Sequence, residues 1–345
     1  MILHVHNGDS TANTARQASL PGEHFAWRES LVTGPTIADL PTDEWEAMRA
    51  QHLSASYGVE LQQCREELVA QEKKLRSAAS SHEEIVLWFE HDLFCQVHLV
   101  YLLNWFAKEN LVDTKLSLIC INQFQGKENF RGLGELSAGE LSSLFPARRE
   151  VTAEQLTLAT AAWLAYCSDD PRAIENILLT NTAALPFLDA ALRAHLRRFP
   201  STANGLGHAE NRALQFIAED NQDFARLFDH FSRAESIYGF GDAQLWLVLR
   251  TLCDGPAPLV SVENFESDSW RLQPLTPELT QQARFRITAA GEATLAYEAD
   301  SVILNGIDEW LGGVHLHDPE SLWRWDESTS RLQYSSGPAV NEFGY

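Results

Sequence analysis

Residues 85–107 read IVLWFEHDLFCQVHLVYLLNWFA. Ile85 to Phe89 are apolar without alternation, the pattern of a strand buried on both faces, and Leu93 to Ala107 continue as an apolar helix. Between them stands the charged triplet Glu90-His91-Asp92. Buried strand, polar break and helix in direct succession make a βα unit of an open parallel sheet. Polar groups wedged between two buried elements need capping, pairing or use. The triplet is therefore the first candidate for a site.

Upstream, Ile2 to His6 alternate as a strand does, and Asn7-Gly8-Asp9-Ser10 supplies a turn and possible helix caps. After Pro21-Gly22, Glu23 to Trp27 form a second β-prone run, followed by Arg28-Glu29-Ser30 and a break at Gly34-Pro35. Asp43 to Ala79 has helical composition, and Lys115 to Ile121, KLSLICI, repeats the fully apolar strand pattern. The first 125 or so residues thus predict about four parallel strands flanked by helices.

Downstream the grammar changes. A polar, glycine-rich loop (126–134) leads to a short helix, Ser137 to Phe145, and then to three helical segments, 153–167, 170–179 and 184–198. The turn-rich FPSTANGL at 199–206 separates these from helical segments 208–219, 223–235 and 242–253, a strand at Leu259–Val262 and another ending at Arg286-Ile287. Three helices and a two-stranded wing are the order of a winged helix-turn-helix. The predicted fold class is α/β: an open, mainly parallel sheet domain (1–135), a helical connector (136–199), a winged-helix-like α+β domain (200–326) and a tail (327–345).

Composition narrows function. The chain carries 26 Lys plus Arg against 48 Asp plus Glu, a formal charge of −22. Such a surface repels phosphate backbones and anionic lipid. Within 205–313 there are 7 Arg and no Lys against 17 Asp plus Glu, and the third helix offers only Arg250 to a groove. DNA binding is disfavoured on that ground. No window is long and apolar enough for a membrane span and no signal peptide is evident, so a cytoplasmic protein is expected. The five cysteines are scattered, which fits reduced core thiols better than a metal site. G-x-G-x-x-G after a strand, the phosphate loop and the G-x-S-x-G elbow are all missing, so no particular cofactor is implied.

In an open parallel sheet the strand C-termini share one edge, and ligands bind there. This edge gathers Asn7, Gly8, Asp9 and Ser10 from the first strand, Arg28 and Glu29 from the second, Glu90, His91 and Asp92 from the third, and Gln123 from the fourth, with Gln96 one helical turn into the next helix. His91 between two carboxylates suits a general acid or base, oriented by Asp92 or Asp9. Asp92 equally suits a helix cap, and Arg28 either an anionic ligand or a neighbouring carboxylate. A metal reading on His6, Asp9, His91 and Asp92 lacks any local ligand spacing, and no metal ligands are assigned.

The chain also resembles the bacterial family known as domain of unknown function 1835 with its C-terminal companion, domain of unknown function 3658. The resemblance rests on LHVHNGDS (3–10), GEHFAWRESLVTGP (22–35), WFEHDLFCQ (88–96), GLGEL (132–136), FPSTANGL (199–206) and NGIDEWLGGVHL (305–316). It implies no activity, although relatives are expected to carry an acidic residue where this chain has Cys95. The expected function is binding of, and possible action on, a small anionic or nucleotide-like ligand in the N-terminal crevice. A non-catalytic sensor or adaptor that contacts a protein partner through the C-terminal domain is one alternative, and a winged-helix DNA-binding regulator is another.

Overall fold

The computed structural model describes residues 1–345 apart from 110, 112, 129, 220–222, 266–269, 271–272 and 337–345, so the end of the expected tail lies outside the described residues. The N-terminal part is a five-stranded sheet in the order β2-β1-β3-β4-β5. Its strands are β1 (Ile2–His6), β2 (Glu23–Ala26), β3 (Glu84–Glu90), β4 (Lys115–Ile121) and the two-residue β5 (Arg149–Glu150). The first four are parallel and β5 runs antiparallel along the edge of β4. Helix α1 (Asp9–Gln17) joins β1 to β2; α2 (Thr42–Tyr57) and α3 (Leu61–Ser81) lead from β2 to β3; α4 (Leu93–Lys108) joins β3 to β4. The break between α2 and α3 falls at Gly58, whose φ of 68° is a conformation that only glycine adopts without strain.

Both faces of the sheet are covered. Leu3, Val5, Ile85, Leu87 and Phe89 pack with α4 and with Leu75 and Ala78 of α3. Val86, Trp88 and Ile119 on the other face meet Ala15 of α1 and Leu141 of α5 (Ala138–Leu144). That second face also carries His4 and His6, both fully buried. Their rings are held by hydrogen bonds, with His6 Nδ1 alone of the four ring nitrogens of His4 and His6 lacking a partner among the described residues. Nε2 of His4 donates to Pro21 O (3.1 Å) and its Nδ1 accepts from Trp88 Nε1 (3.1 Å). His6 Nε2 donates to His24 Nδ1 (3.1 Å), and His24 Nε2 donates to Leu20 O (3.3 Å). Burial holds His4 down to about 4 and lowers His6 and His24 as well, in keeping with neutral rings. These histidines are sheet residues.

Helices α6 (Ala153–Tyr166), α7 (Arg172–Leu178) and α8 (Leu188–Leu196) follow, within the three predicted segments. Thr152 caps α6 through a reciprocal capping box with Gln155. Helices α9 (His208–Ala218), α10 (Phe224–Ala234) and α11 (Asp242–Leu252) come next. Then β6 (Val260–Glu263), α12 (Pro277–Gln282) and β7 (Arg284–Ile287) form an antiparallel pair with a helix in its connection. The chain closes with α13 (Ala289–Leu295), α14 (Ser301–Asn305) and two hairpins, β8 (Glu309–Leu311) with β9 (Val314–Leu316), and β10 (Ser321–Asp326) with β11 (Arg331–Ser336). One apolar core runs from Phe89 and α4 through α6 and α8 into α9, α10 and α11.

The third helix of the C-terminal set is inward-facing. Leu245, Trp246, Leu249 and Leu252 of α11 are buried, and Arg250 donates to Ser56 O (2.8 Å) at the end of α2. In β10 Trp325 is buried and Arg324 pairs with Asp300 (2.7 Å), which ties this strand to the start of α14.

Candidate functional site

The sheet order places a topological switch point between β1 and β3. From β1 the chain crosses to β2 on one side, and β3 then starts the run toward β4 on the other. The helices after β1 and β3 lie on opposite faces, which opens a crevice beyond the two strand ends. A cavity of about 570 Å³ occupies this crevice. The sheet side supplies Asn7, Ser10, Thr11, Glu90, Asp92, Phe94 and Cys95; the loop before α5 supplies Arg131, Gly132, Gly134 and Glu135. The lid comes from α10 and the following turn, with Phe228, Phe231, Ser232, Glu235, Ser236 and Gly239 to Gly241, and from Gln244 of α11.

Glu90 and Asp92 form its floor, 7% and 3% exposed. Glu90 is the last residue of β3, so its position follows from the strand's length; Asp92 is the N-cap of α4, accepting from Cys95 N (2.9 Å). Such a cap stabilises by about 1 kcal/mol. The Glu90 carboxylate accepts from Leu133 N (2.6 Å) and from the Cys95 thiol (2.6 Å). Asn7 Nδ2 donates to Cys95 Sγ (2.8 Å), while Asn7 Oδ1 is shut off from solvent with no partner among the described residues. Three close backbone approaches tighten the cradle. A Cβ on Gly132 would stand 3.0 Å from Glu90 Oε1, one on Gly134 3.0 Å from Ser10 Oγ, and one on Gly239 would overlap the Asp92 carboxylate.

Electrostatically the floor is under tension. Burial, and then the neighbouring Asp92 charge, push Glu90 up to about 7; burial also raises Asp92, and burial raises the Cys95 thiol far above its usual range. No Lys or Arg among the described residues bonds to either carboxylate. The other two acids of the lining are matched: Glu135 by Arg131 (2.6 Å), Glu235 by Arg212 (2.7 Å) and His208 (3.0 Å). Glu90, pushed up to about 7, is therefore poised to hold or release a proton near neutral pH beside a second buried carboxylate.

The structure divides the sequence candidates. Asn7, Ser10, Glu90 and Asp92 converge on the cavity. Gly8 shapes the turn with φ 107°, and Asp9 opens α1, but Asp9 faces Arg28 in a bidentate pair (both contacts 2.7 Å) at the exposed rim. Arg28 is thus engaged by Asp9, and neither of the two lines this cavity. Glu29 turns into the core and pairs with fully buried Arg49 (2.7 Å). His91 does not stand between the carboxylates: its ring lies edge-on to Phe187 before α8, 6.2 Å between centroids, because alternation past the strand end sends it to the opposite side from Glu90 and Asp92. Gln96 braces the strand end, donating to Glu90 O (2.7 Å), and Gln123 is exposed beyond β4.

Sequence reasoning missed Cys95, read as a core thiol, and the whole C-terminal wall. Gly239 and Gly241 flank Phe240 in a G-x-G without a sequence signature, and Gly132 and Gly134 belong to the GLGEL segment, which carries no role by itself. The spacing of Cys95, three residues after the Asp92 cap and so on the first helical turn, was the one available signal. No protein-family model matches the chain, and no curated protein matches it.

Proposed function

We propose that the protein binds a small, cation-bearing molecule, such as an amine, in the switch-point cavity, and that Glu90 exchanges a proton with it. The observation that carries this is the buried pair Glu90 and Asp92, two carboxylates at the cavity floor to which no Lys or Arg among the described residues bonds. Buried charge without a partner is costly, so a ligand that brings positive charge gains what the chain leaves unmet. An anionic or nucleotide-like ligand loses support, since Arg28 is held by Asp9 at the rim and Arg131 by Glu135. A carboxyl that ionises near 7 is suited to proton transfer at neutral pH.

A sensor reading draws on the walls coming from both ends of the chain: ligand uptake would bridge the sheet edge and the α10–α11 region, and Arg131 Nη1 already donates to Ser232 Oγ (3.2 Å) across the mouth. The three helices and the β6–β7 pair have a winged-helix-like order, but α11 spends its one Arg on Ser56, which speaks for an internal role over groove reading. Calorimetry at pH 6.5 with a panel of small amines, in buffers of different ionisation enthalpy, tests the proposal. It expects binding coupled to release of about one proton, lost in Glu90→Gln; proton-independent binding unaffected by that substitution would refute the assigned role of Glu90.

A further inference from the structure

The side chains of Glu90, Asp92 and Cys95 each offer a ligand atom, and these atoms all lie within 4.8 Å of one another. All three residues are more than nine-tenths buried and line the same cavity floor. The set combines two hard oxygen donors with one soft sulfur, which suits zinc and its borderline neighbours rather than magnesium or calcium. In tetrahedral coordination, bonds of about 2.0–2.3 Å place ligand atoms about 3.3–3.8 Å apart, within the 4.8 Å that encloses the three ligand atoms here.

Two further observations concern the surroundings of the cluster. Asp92, 3% exposed, accepts from Cys95 N as the cap of α4, and no Lys or Arg among the described residues bonds to its carboxylate. Asn7 donates to the Cys95 sulfur at 2.8 Å, as outer partners do for metal-bound thiolates, and its buried Oδ1 has no partner among the described residues.

We propose that Glu90, Asp92 and Cys95 form a three-ligand site for a divalent transition-metal ion of the zinc class, with the fourth coordination position open to the cavity. The inference rests on the reading above that this floor takes up positive charge, and it adds a metal ion as a second form in which that charge can arrive. Binding is an exchange of protons for metal: the Cys95 thiol proton and any proton carried by the two carboxylates leave, and M²⁺ takes their place with no change of oxidation state. Three protein donors with one open position is the arrangement of zinc sites that act on substrates, in contrast to closed four-ligand structural sites.

Cobalt(II) titration of the chelator-treated full-length chain provides the test. The expected result is one Co²⁺ per chain with a thiolate-to-cobalt charge-transfer band in the near ultraviolet, displaced by equimolar Zn²⁺. Cys95→Ser should abolish the band and Cys120→Ser should leave it intact. Glu90→Gln should weaken Zn²⁺ binding at least ten-fold. Circular dichroism confirms folding, and because Cys95→Ser changes a single atom it keeps the test valid if Glu90→Gln unfolds. A band that survives Cys95→Ser would overturn the assignment. Uptake of amines without any Co²⁺ binding would overturn the metal site and leave the cation-binding reading standing, whereas failure of both would remove both.

Discussion

Gly239 lies so close over Asp92 that a Cβ on the glycine would overlap the Asp92 carboxylate. Gly239 ends the short 3-10 turn 236–238 in a left-handed conformation, φ 62°, and Asp92 is the cap of α4. The C-terminal wall of the cavity is therefore seated directly on the residue that starts the central helix.

Gly239→Ala should destabilise the protein by more than the roughly 1 kcal/mol that a left-handed alanine costs, since the turn must also move off Asp92. Urea unfolding of the variant, of Asp92→Ala and of the double variant gives the coupling. Removing the carboxylate should recover the steric part of the loss; strictly additive effects would contradict the contact.

Stability should fall as pH rises through neutrality. The folded chain holds the Glu90 proton up to about pH 7, against 4.5 for an unperturbed glutamate, so its contribution is complete below about pH 4.5 and lost above about 7. At about 1.4 kcal/mol per pH unit this amounts to roughly 3 kcal/mol. Glu90→Gln should flatten the curve measured between pH 4.5 and 8.

Asp92→Asn retains a capping side chain and removes the charge next to Glu90. The midpoint of the pH–stability curve should then shift to lower pH, toward the ordinary glutamate range. An unchanged midpoint would mean that burial alone sets the Glu90 ionisation.

The two arginine pairs near β2 should behave oppositely. Arg28→Ala removes a half-exposed bridge to Asp9 and should cost under about 1 kcal/mol. Arg49→Ala strands the buried Glu29 carboxylate and takes the donor from the carbonyls of Thr33, Pro35 and Ser30, and should cost about 3–5 kcal/mol. Thermal denaturation of the two variants distinguishes them.

Much of this architecture was legible because it rests on local pattern. Ile2–His6, Lys115–Ile121 and the helix after Asp92 stand where their apolar runs put them, and the α2–α3 break falls at a glycine. Strand β5 escaped because two residues, Arg149 and Glu150, carry no periodicity; their pairing to β4 is wholly tertiary. At the site, strand ends gave Asn7 and Glu90. His91 looked central because sequence adjacency places it between two acids, whereas backbone alternation turns it toward Phe187. The roles of Arg28 and Glu29 depended on partners 19 and 20 residues away, and the Gly239 wall on one more than 140 residues distant, separations at which no sequence period operates.

The most direct test of the central claim is a thermal-shift comparison at pH 8 of matched small amines and small phosphates, on the wild type and on Glu90→Gln with Asp92→Asn. A ligand at a hundred times its dissociation constant adds about 2.7 kcal/mol. The account expects amines to raise the midpoint of the wild type, phosphates to leave it unmoved, and the double substitution to erase the amine response. Stabilisation by phosphates alone, undiminished in the double variant, would contradict it.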